Sequence, residues 1–385
     1  MSNFIKQHRI IQLLLLGAVV IGLFVDFKNN NNNVVNIYGW YGIFPHKVIK
    51  DFERETGIKV VYDSFDNNNI LEAKLLSGSS GYDVVFPSFI PYASRETLLK
   101  VFSKIDYQLI PNAINTNGAL TQKFINSGGK IEYVLPIFWG TMGIIYNANI
   151  MNREFPNQQN ITYNELFNPD FMQKISKYGI SLPEEYIDLF PQAKAYLLNH
   201  NTELQKNIDI KKYNSLKDDI VVPLLASIRK YVTKFNSTTI MFDLLAEEVC
   251  LAICSSDQAF KIINSARSIG KYMKYSITKN MTPAWIDCVA IPKNAPHKAN
   301  AHKFIDFILR PKIALEITNY SGILINIPSN YPLIDDDMLA IPNIIPSIEE
   351  IDSFILGAPI TSEDDMKRER HATTLWSKIK VGAFA

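Results

Sequence analysis

The stretch VVNIYGWYGIFPHKVIKDFERETGIKVVY (residues 34–62), followed by YDVVFPS (residues 82–88), decides the fold. Residues 34–38 are an apolar run that predicts a short strand. Pro45 is typical of a helix start and Gly57 of a helix end. The apolar side chains between them share one helical face; they are Val48, Ile49 and Phe52. A second apolar strand is predicted at residues 58–62.

The same unit then occurs again. A second helix is predicted around residues 70–76, Gly78 and Gly81 end it, and residues 84–86 form a third apolar strand that leads into Ser88. The order strand, helix, strand, helix, strand is the start of an open parallel sheet. Such sheets bind ligands beyond the carboxyl ends of their strands, so Trp40 and Ser88 are candidate ligand contacts.

Three of these motifs resemble a known family. Trp40, the run FERETGIKV (residues 52–60) and DVV-x-PS (residues 83–88) are similar to polyamine-binding periplasmic proteins of ABC importers, the putrescine-binding members in particular. The resemblance covers residues 34–382. It implies an α/β fold of type II, with two parallel-sheet lobes joined by a hinge. It also implies a polyamine ligand, an ABC permease of the inner membrane as partner, and the periplasm as location.

The resemblance also implies a division of the chain. Residues 34–140 form the first part of lobe 1, residues 141–286 form lobe 2, and residues 287–328 return to lobe 1. Residues 329–385 are expected to be C-terminal helices that complete lobe 2. The two crossings, near residues 135–147 and 285–291, then make the hinge.

Composition bounds the possible partners. A chain of 385 residues with 47% hydrophobic residues can bury a large core, and its length suggests two lobes. With 39 basic and 38 acidic residues the net charge is +1, so no excess of cations is available for a nucleic-acid backbone and no such partner is expected. The sequence has no heptad pattern or obvious apolar stripe, and a monomer is expected.

The N-terminus has the pattern of an exported protein. Lys6, His8 and Arg9 precede an apolar run at residues 10–25 that only Gln12 interrupts. This layout is typical of a secretory signal or of a short membrane anchor, and the sequence leaves both open. Residues 29–33 are all asparagine and predict a flexible tether between this segment and the folded body.

Cysteine and histidine placement argues against cross-links and metals. Cys250 and Cys254 are four residues apart in one predicted strand, about 13 Å, which is too far for a disulfide. With Cys288 they are expected to be buried free thiols. The six histidines are scattered without metal-ligand spacing, so no metal and no other cofactor is expected.

A diamine needs carboxylates near its two ammonium groups and aromatic walls along its alkyl stem. On the return crossing, Trp285 and Asp287 are two residues apart in a strand and therefore face the same side. The resemblance makes Asp287 the principal amine ligand and Trp285 and Trp40 wall residues. It makes Ser88 a small hydroxyl in the cleft and Ser237 part of a polar loop that orients the ligand.

A second acidic candidate lies in SLPEEYIDLF (residues 181–190). The resemblance makes Asp188 an amine-binding acid in place of a glutamate. Glu184, four residues earlier, shares a face with Asp188 if the helix already begins there, and is a weaker candidate. The simpler reading of both carboxylates is that acidic residues in a first turn favour the helix dipole.

The chain departs from the family pattern at several aromatic positions. The loop after Trp40 is one residue shorter and offers Tyr41 and Phe44 as weaker candidates. Ser255 stands where the family has a tryptophan, and Ile323 stands where it has a tyrosine. An acid is also displaced: Gln258 occupies its position, and Asp257, another weaker candidate, precedes it.

Two alternatives accompany the transport hypothesis. The same fold could serve another amine or an amino-acid-like solute, or act as a membrane-anchored sensor. An enzyme is not expected, because the sequence contains no Gly-x-Ser-x-Gly elbow, no P-loop and no paired nucleophile and histidine.

Overall fold

The computed structural model describes residues 33–78, 80–116, 118–207 and 210–384. The predicted signal or anchor segment and the asparagine tether lie outside these residues, apart from Asn33. The strands are β1 (Val34–Trp40), β2 (Lys59–Phe65), β3 (Val84–Val85), β4 (Val134–Asn147), β5 (Ile180–Leu182), β6 (Lys234–Phe235), β7 (Leu251–Ser255), β8 (Met273–Ser276), β9 (Ala284–Ala290) and β10 (Leu324–Ile325).

Helices alternate with these strands. The first five helices are α1 (His46–Thr56), α2 (Asn68–Leu76), α3 (Ser94–Leu98), α4 (Ala119–Asn126) and α5 (Ala148–Glu154). They are followed by α6 (Tyr163–Leu166), α7 (Pro169–Ile175), α8 (Phe190–His200), α9 (Thr202–Asn207), α10 (Val222–Arg229), α11 (Ile240–Leu245) and α12 (Ser256–Ser268). The last are α13 (Lys298–Ile308), α14 (Pro311–Ser321), α15 (Asp336–Leu339) and α16 (Glu363–Lys380).

The predicted opening unit is confirmed. β1 lies between β2 and β3 and is parallel to both. Helix α1 buries Val48 and Phe52, and Gly57 ends it with φ 69°, a left-handed conformation that glycine adopts without strain.

Two sheets share the long strand β4. The first sheet has the order β2-β1-β3-β9-β4, with β10 on the free side of β4, and forms lobe 1. The second continues as β4-β7-β5-β6, with β8 also on β4, and forms lobe 2. Strand β4 belongs to both sheets, and β9 pairs with β4 in the first sheet. That these two strands carry the crossings between the lobes stays a prediction.

The side chain of Asn168 caps the backbone N–H groups of Asp170 and Phe171 and so begins α7. One local prediction needed correction. The helix after β5 begins only at Phe190, and residues 186–188 form a 3₁₀ turn instead. Glu184 and Asp188 consequently do not share an α-helical face.

The C-terminal part divides its contacts between the lobes. Helix α16 packs on α10 through Leu375, Trp376 and Ile379. The 3₁₀ segment Pro328–Leu333 packs on α14, and the segment Ile348–Ser353 packs on α4. Exact lobe boundaries stay a prediction.

The three hydrophobic clusters of the described chain draw all their members from residue 35 onward. The portion from Asn33 onward therefore carries the described core and is expected to fold without residues 1–32. The three cysteines are buried free thiols, as predicted. Among the described residues, no helix combines the length and hydropathy needed to cross a membrane.

Candidate ligand-binding cleft

The cleft lies where the carboxyl ends of both sets of parallel strands meet. β1 and β3 run in the same direction as β4, and both end level with the middle of β4. Ser88, just after β3, pairs with Asp287 of β9, and Asp287 pairs in turn with Phe138 of β4. β7 runs against β4 and ends at Ser255, opposite Met142. β5 and β6 are parallel to β7, so their carboxyl ends face lobe 1 across the centre of β4.

Asp287 is the centre of a hydrogen-bonded chain on the lobe 1 side. The Ser88 hydroxyl donates to Asp287 Oδ1 at 2.6 Å. Asn68, in the first turn of α2, donates to Ser88 Oγ at 2.9 Å and accepts from the Ser88 backbone N–H at 3.1 Å. Ser88 therefore acts by holding the Asp287 carboxyl in place.

Asp287 is only 7% exposed, and this burial raises its pKa to about 7. The Ser88 hydrogen bond opposes this rise in pKa, whereas the Asp257 carboxylate adds to it. The Trp40 indole also favours the ionised form, although its N–H finds no partner in good hydrogen-bond geometry among the described residues. A buried, partly neutralised carboxyl of this kind would gain from a cationic partner.

Asp257 lies in the first turn of helix α12, which directly follows β7, and completes this centre. Its carboxylate accepts from Ser255 Oγ at 2.6 Å and lies 3.9 Å from Lys261 Nζ. Although the acid is displaced by one position in the sequence, its charge still acts on Asp287. We call Asp287 and Asp257, with Ser88, the first acidic centre.

The two tryptophans flank the first acidic centre. Trp40 ends β1, is half-buried and packs on Phe65 with a centroid distance of 4.6 Å. Trp285 is also half-buried and pairs with Gly140 of β4. A Cβ at Gly140 would lie 2.7 Å from Trp285 Cζ2, so only glycine lets this ring lie over the strand.

Asp188 lies in the 3₁₀ turn that follows β5. Burial raises its pKa to about 7, and the Glu185 carboxylate contributes to the same rise. Among the described residues no hydrogen-bond donor contacts its side chain, whereas its backbone carbonyl accepts from Gln192 Nε2 at 2.6 Å. Asp188 and Glu185 form the second acidic centre, on the lobe 2 side.

Glu184 and Ser237 take part in hydrogen bonds that hold the backbone before this turn in place. Ser237 Oγ accepts from the Glu184 N–H at 3.2 Å. The Glu184 carbonyl accepts from Trp376 Nε1 and from Lys380 Nζ, each at 2.9 Å. The Glu184 side chain is exposed. These contacts fix the loop that carries the second acidic centre, so both residues position it.

The two lobes touch at the edge of the cleft. Glu185 accepts from Asn69 at 3.3 Å and from Tyr92 at 3.4 Å, both of lobe 1. Arg95 on α3 pairs with Glu72 at 2.7 Å and with Glu369 of helix α16. These hydrogen bonds and this ion pair link the two lobes at this edge.

Two weaker candidates do not join the cleft. The side chain of Tyr41 is 84% exposed. Phe44 contacts Tyr62, Phe86 and Phe304 with centroid distances of 5.6 to 5.7 Å, so its ring belongs to the lobe 1 core. The short loop after Trp40 turns these two side chains outward and inward respectively. Ile323 likewise joins the lobe 1 core.

Sequence reasoning missed Asn68 and Glu185. Asn68 belongs to the polar run at residues 67–69, which follows the carboxyl end of β2 and so carried a usable signal. Glu185 lies three residues before Asp188, a spacing that shares one helical face, so the sequence carried a usable signal here as well. In the 3₁₀ turn the Glu185 carboxylate contributes to the raised pKa of Asp188.

Two sheet-based lobes, a long strand that belongs to both sheets and a cleft at the carboxyl ends of the strands define a type II periplasmic binding protein. The family model of bacterial extracellular solute-binding proteins matches residues 47–340. The chain therefore belongs to that family.

Individual relatives agree with this assignment. The putrescine-binding periplasmic protein SpuD of Pseudomonas aeruginosa is 32% identical over 356 residues, which cover 91% of this chain and 93% of SpuD. The putrescine-binding periplasmic protein PotF of Escherichia coli is 26% identical over 372 residues, with 96% and 97% covered.

Solved structures share the fold. The spermidine/putrescine substrate-binding protein PotD of Streptococcus pneumoniae superposes with a TM-score of 0.73 at 19% identity, covering 91% of this chain and 99% of its own. The Tp0655 lipoprotein of Treponema pallidum gives a TM-score of 0.72 at 22% identity, with 90% and 99% covered. At these identities the likeness establishes the fold alone.

Proposed function

We propose that this protein captures a polyamine of the putrescine type in the cleft and delivers it to an ABC permease, without catalysing a reaction. The observation that carries the proposal is the pairing of two acidic centres, one built around Asp287 of lobe 1 and the other around Asp188 of lobe 2. Asp287 and Asp188 each have a pKa raised to about 7 by burial and by a neighbouring carboxylate. An alkyl diamine carries one ammonium group for each centre, since such amines stay protonated well above pH 7.

The aromatic side chains support the same ligand class. Trp40 and Trp285 flank the first acidic centre, and an ammonium over an indole face gains about 0.5–2 kcal/mol. Because Asp287 and Asp188 belong to different lobes, a ligand that contacts both favours closure. The names of SpuD and PotF, both putrescine-binding periplasmic proteins, agree with this assignment. On this basis the periplasm is the proposed location, and an N-terminal anchor is one way to hold the protein there.

A thermal-shift titration of residues 33–385 tests the ligand class. We expect putrescine, cadaverine or another diamine to raise the melting temperature saturably, because a ligand that binds only the native state stabilises it. The matched control is 1-butylamine, which has the alkyl stem of putrescine and one ammonium group. It should bind at least about 100-fold more weakly, since one acidic centre stays unpaired.

The remaining ligands of the titration separate the alternatives. Spermidine and agmatine report how much length the cleft accepts. A shift with glycine betaine or a basic amino acid, and none with any polyamine, would show that the fold serves another solute. Equal shifts with putrescine and 1-butylamine would contradict the role of the second acidic centre.

A further inference from the structure

Lobe 1 carries a groove of about 900 Å³ with a basic rim. Its polar lining includes Lys100, Lys104, Lys130, Lys293 and Lys298, and a single acidic residue, Glu132. All five lysines are exposed. Among the residues that the structure describes, none of the five has a carboxylate within ion-pair distance. The floor between them is apolar and includes Phe89, Phe102 and Val134. The floor side chains are buried, so it is the unpaired positive charge of the rim that suits an anionic surface.

Much of the rim lies at the edge of lobe 1 opposite the cleft. Ala290, the last residue of β9, pairs with Val134, the first residue of β4. Beyond this pair the Lys293 N–H donates to the Val101 carbonyl at 2.7 Å, and the Ser103 N–H donates to the Ile291 carbonyl at 2.8 Å. These bonds place Lys293 and the segment before Lys104 beyond the amino ends of the parallel strands.

The chain enters lobe 1 at the same edge. Asn300, in the first turn of α13, donates to the Val34 carbonyl at 2.8 Å. Lys298 begins that helix, two residues earlier. In the sequence, residues 26–33 separate Val34 from the apolar run at residues 10–25, and eight extended residues reach at most about 28 Å. A bilayer that held the apolar run would therefore be within reach of the lysine rim.

We infer that this lysine groove binds the surface of an anionic phospholipid bilayer. Each lysine near such a surface contributes about 1 kcal/mol, or about a fivefold gain in affinity. Lys293, Lys298 and the segment before Lys104 lie at the edge of lobe 1 opposite the cleft, so a protein resting on the membrane by this rim keeps its cleft free for the solute. The inference concerns lobe 1 alone and does not depend on which solute the cleft binds.

Vesicle flotation with residues 33–385 tests the inference without the apolar N-terminal run. The vesicles are phosphatidylcholine with about one-third phosphatidylglycerol, compared with pure phosphatidylcholine. The protein should float with the anionic vesicles at low salt, stay behind with the neutral ones, and be released at about 0.5 M salt, where screening shortens to a few ångströms.

The test variant combines Lys104→Gln, Lys293→Gln and Lys298→Gln. Lys100 is left in place because its backbone is left-handed, with φ 59°. The control combines Lys217→Gln, Lys279→Gln and Lys378→Gln, which removes the same charge from exposed positions of lobe 2 and α16. The test variant should lose on the order of 100-fold in vesicle affinity, and the control should keep most of it.

Three results would overturn the inference. The first is no flotation with anionic vesicles. The second is an equal loss in the two triple variants, which would mean that overall charge and not this groove is responsible. The third is release of the vesicles by millimolar inorganic phosphate at constant ionic strength, which would identify a site for a soluble anion.

Discussion

Asp287→Asn is expected to weaken putrescine binding by at least about 100-fold. The substitution keeps the shape of the side chain and its contact with Ser88 but removes the charge that an ammonium group would pair with. Breaking a buried ion pair by removing one partner costs about 3–5 kcal/mol. Isothermal titration calorimetry on residues 33–385 at pH 8 measures the change directly.

The same substitution should stabilise the ligand-free protein at pH 8. The folded-state pKa of Asp287 is raised to about 7, above its ordinary value of 3.8. For a group raised in this way, the stabilising contribution is full below the unfolded pKa and is lost as pH rises through the folded pKa. The wild type therefore loses roughly 2–4 kcal/mol between about pH 4 and pH 8 through this carboxyl, and asparagine, which cannot ionise, does not.

Thermal denaturation at pH 8 and pH 5 separates this effect from general damage. Asp287→Asn should melt a few degrees higher than the wild type at pH 8, and the advantage should shrink at pH 5. Asp337→Asn, an exposed position on α15, removes the same charge and should change neither binding nor melting. A variant that keeps wild-type affinity, or that melts lower at both pH values, would contradict the role given to Asp287.

The affinity for a diamine should fall about 100-fold between pH 8 and pH 6. The pKa values of Asp287 and Asp188 are both raised to about 7 in the ligand-free protein, and each carboxyl must be ionised to pair with an ammonium. Below pH 7 each carboxyl must release a proton when the diamine binds. This lowers the affinity by up to about tenfold per pH unit for each carboxyl. The amine itself stays fully protonated over this range.

Calorimetry in two buffers with different ionisation enthalpies counts the released protons. Release should approach two per diamine near pH 6 and fall towards zero at pH 8. Ser88→Ala removes a hydrogen bond that lowers the pKa of Asp287, so its affinity should begin to fall at a higher pH than that of the wild type. Asp188→Asn should reduce the pH dependence to about tenfold. An affinity that is equal at pH 6 and pH 8 would contradict the account.

The sequence was sufficient for the fold because local signals and global topology agree. Pro45, Gly57 and the apolar runs around them predict the opening strands and helix independently of tertiary contacts, and each is found in place. The shared orientation of Trp285 and Asp287 could be predicted for the same reason, since strand periodicity alone puts both side chains on one face.

Only part of the second acidic centre could be predicted from the sequence. Its position after β5 followed from the resemblance, but the 3₁₀ turn at residues 186–188 depends on tertiary contacts. The carbonyl of Glu184 is held by Trp376 and Lys380, almost two hundred residues later in the chain. No local pattern predicts such a contact. The core position of Phe44 likewise depends on Phe304, far away in sequence.

A crystal structure of residues 33–385 with putrescine at saturating concentration is the sharpest test of the proposal that the cleft binds a diamine between its two acidic centres. We expect one ammonium group within hydrogen-bond distance of Asp287, at the first acidic centre, and the other directed at Asp188 and Glu185. The alkyl stem should lie against Trp40 or Trp285. An empty cleft at saturation, or putrescine bound with neither Asp287 nor Asp188 in contact, would contradict it.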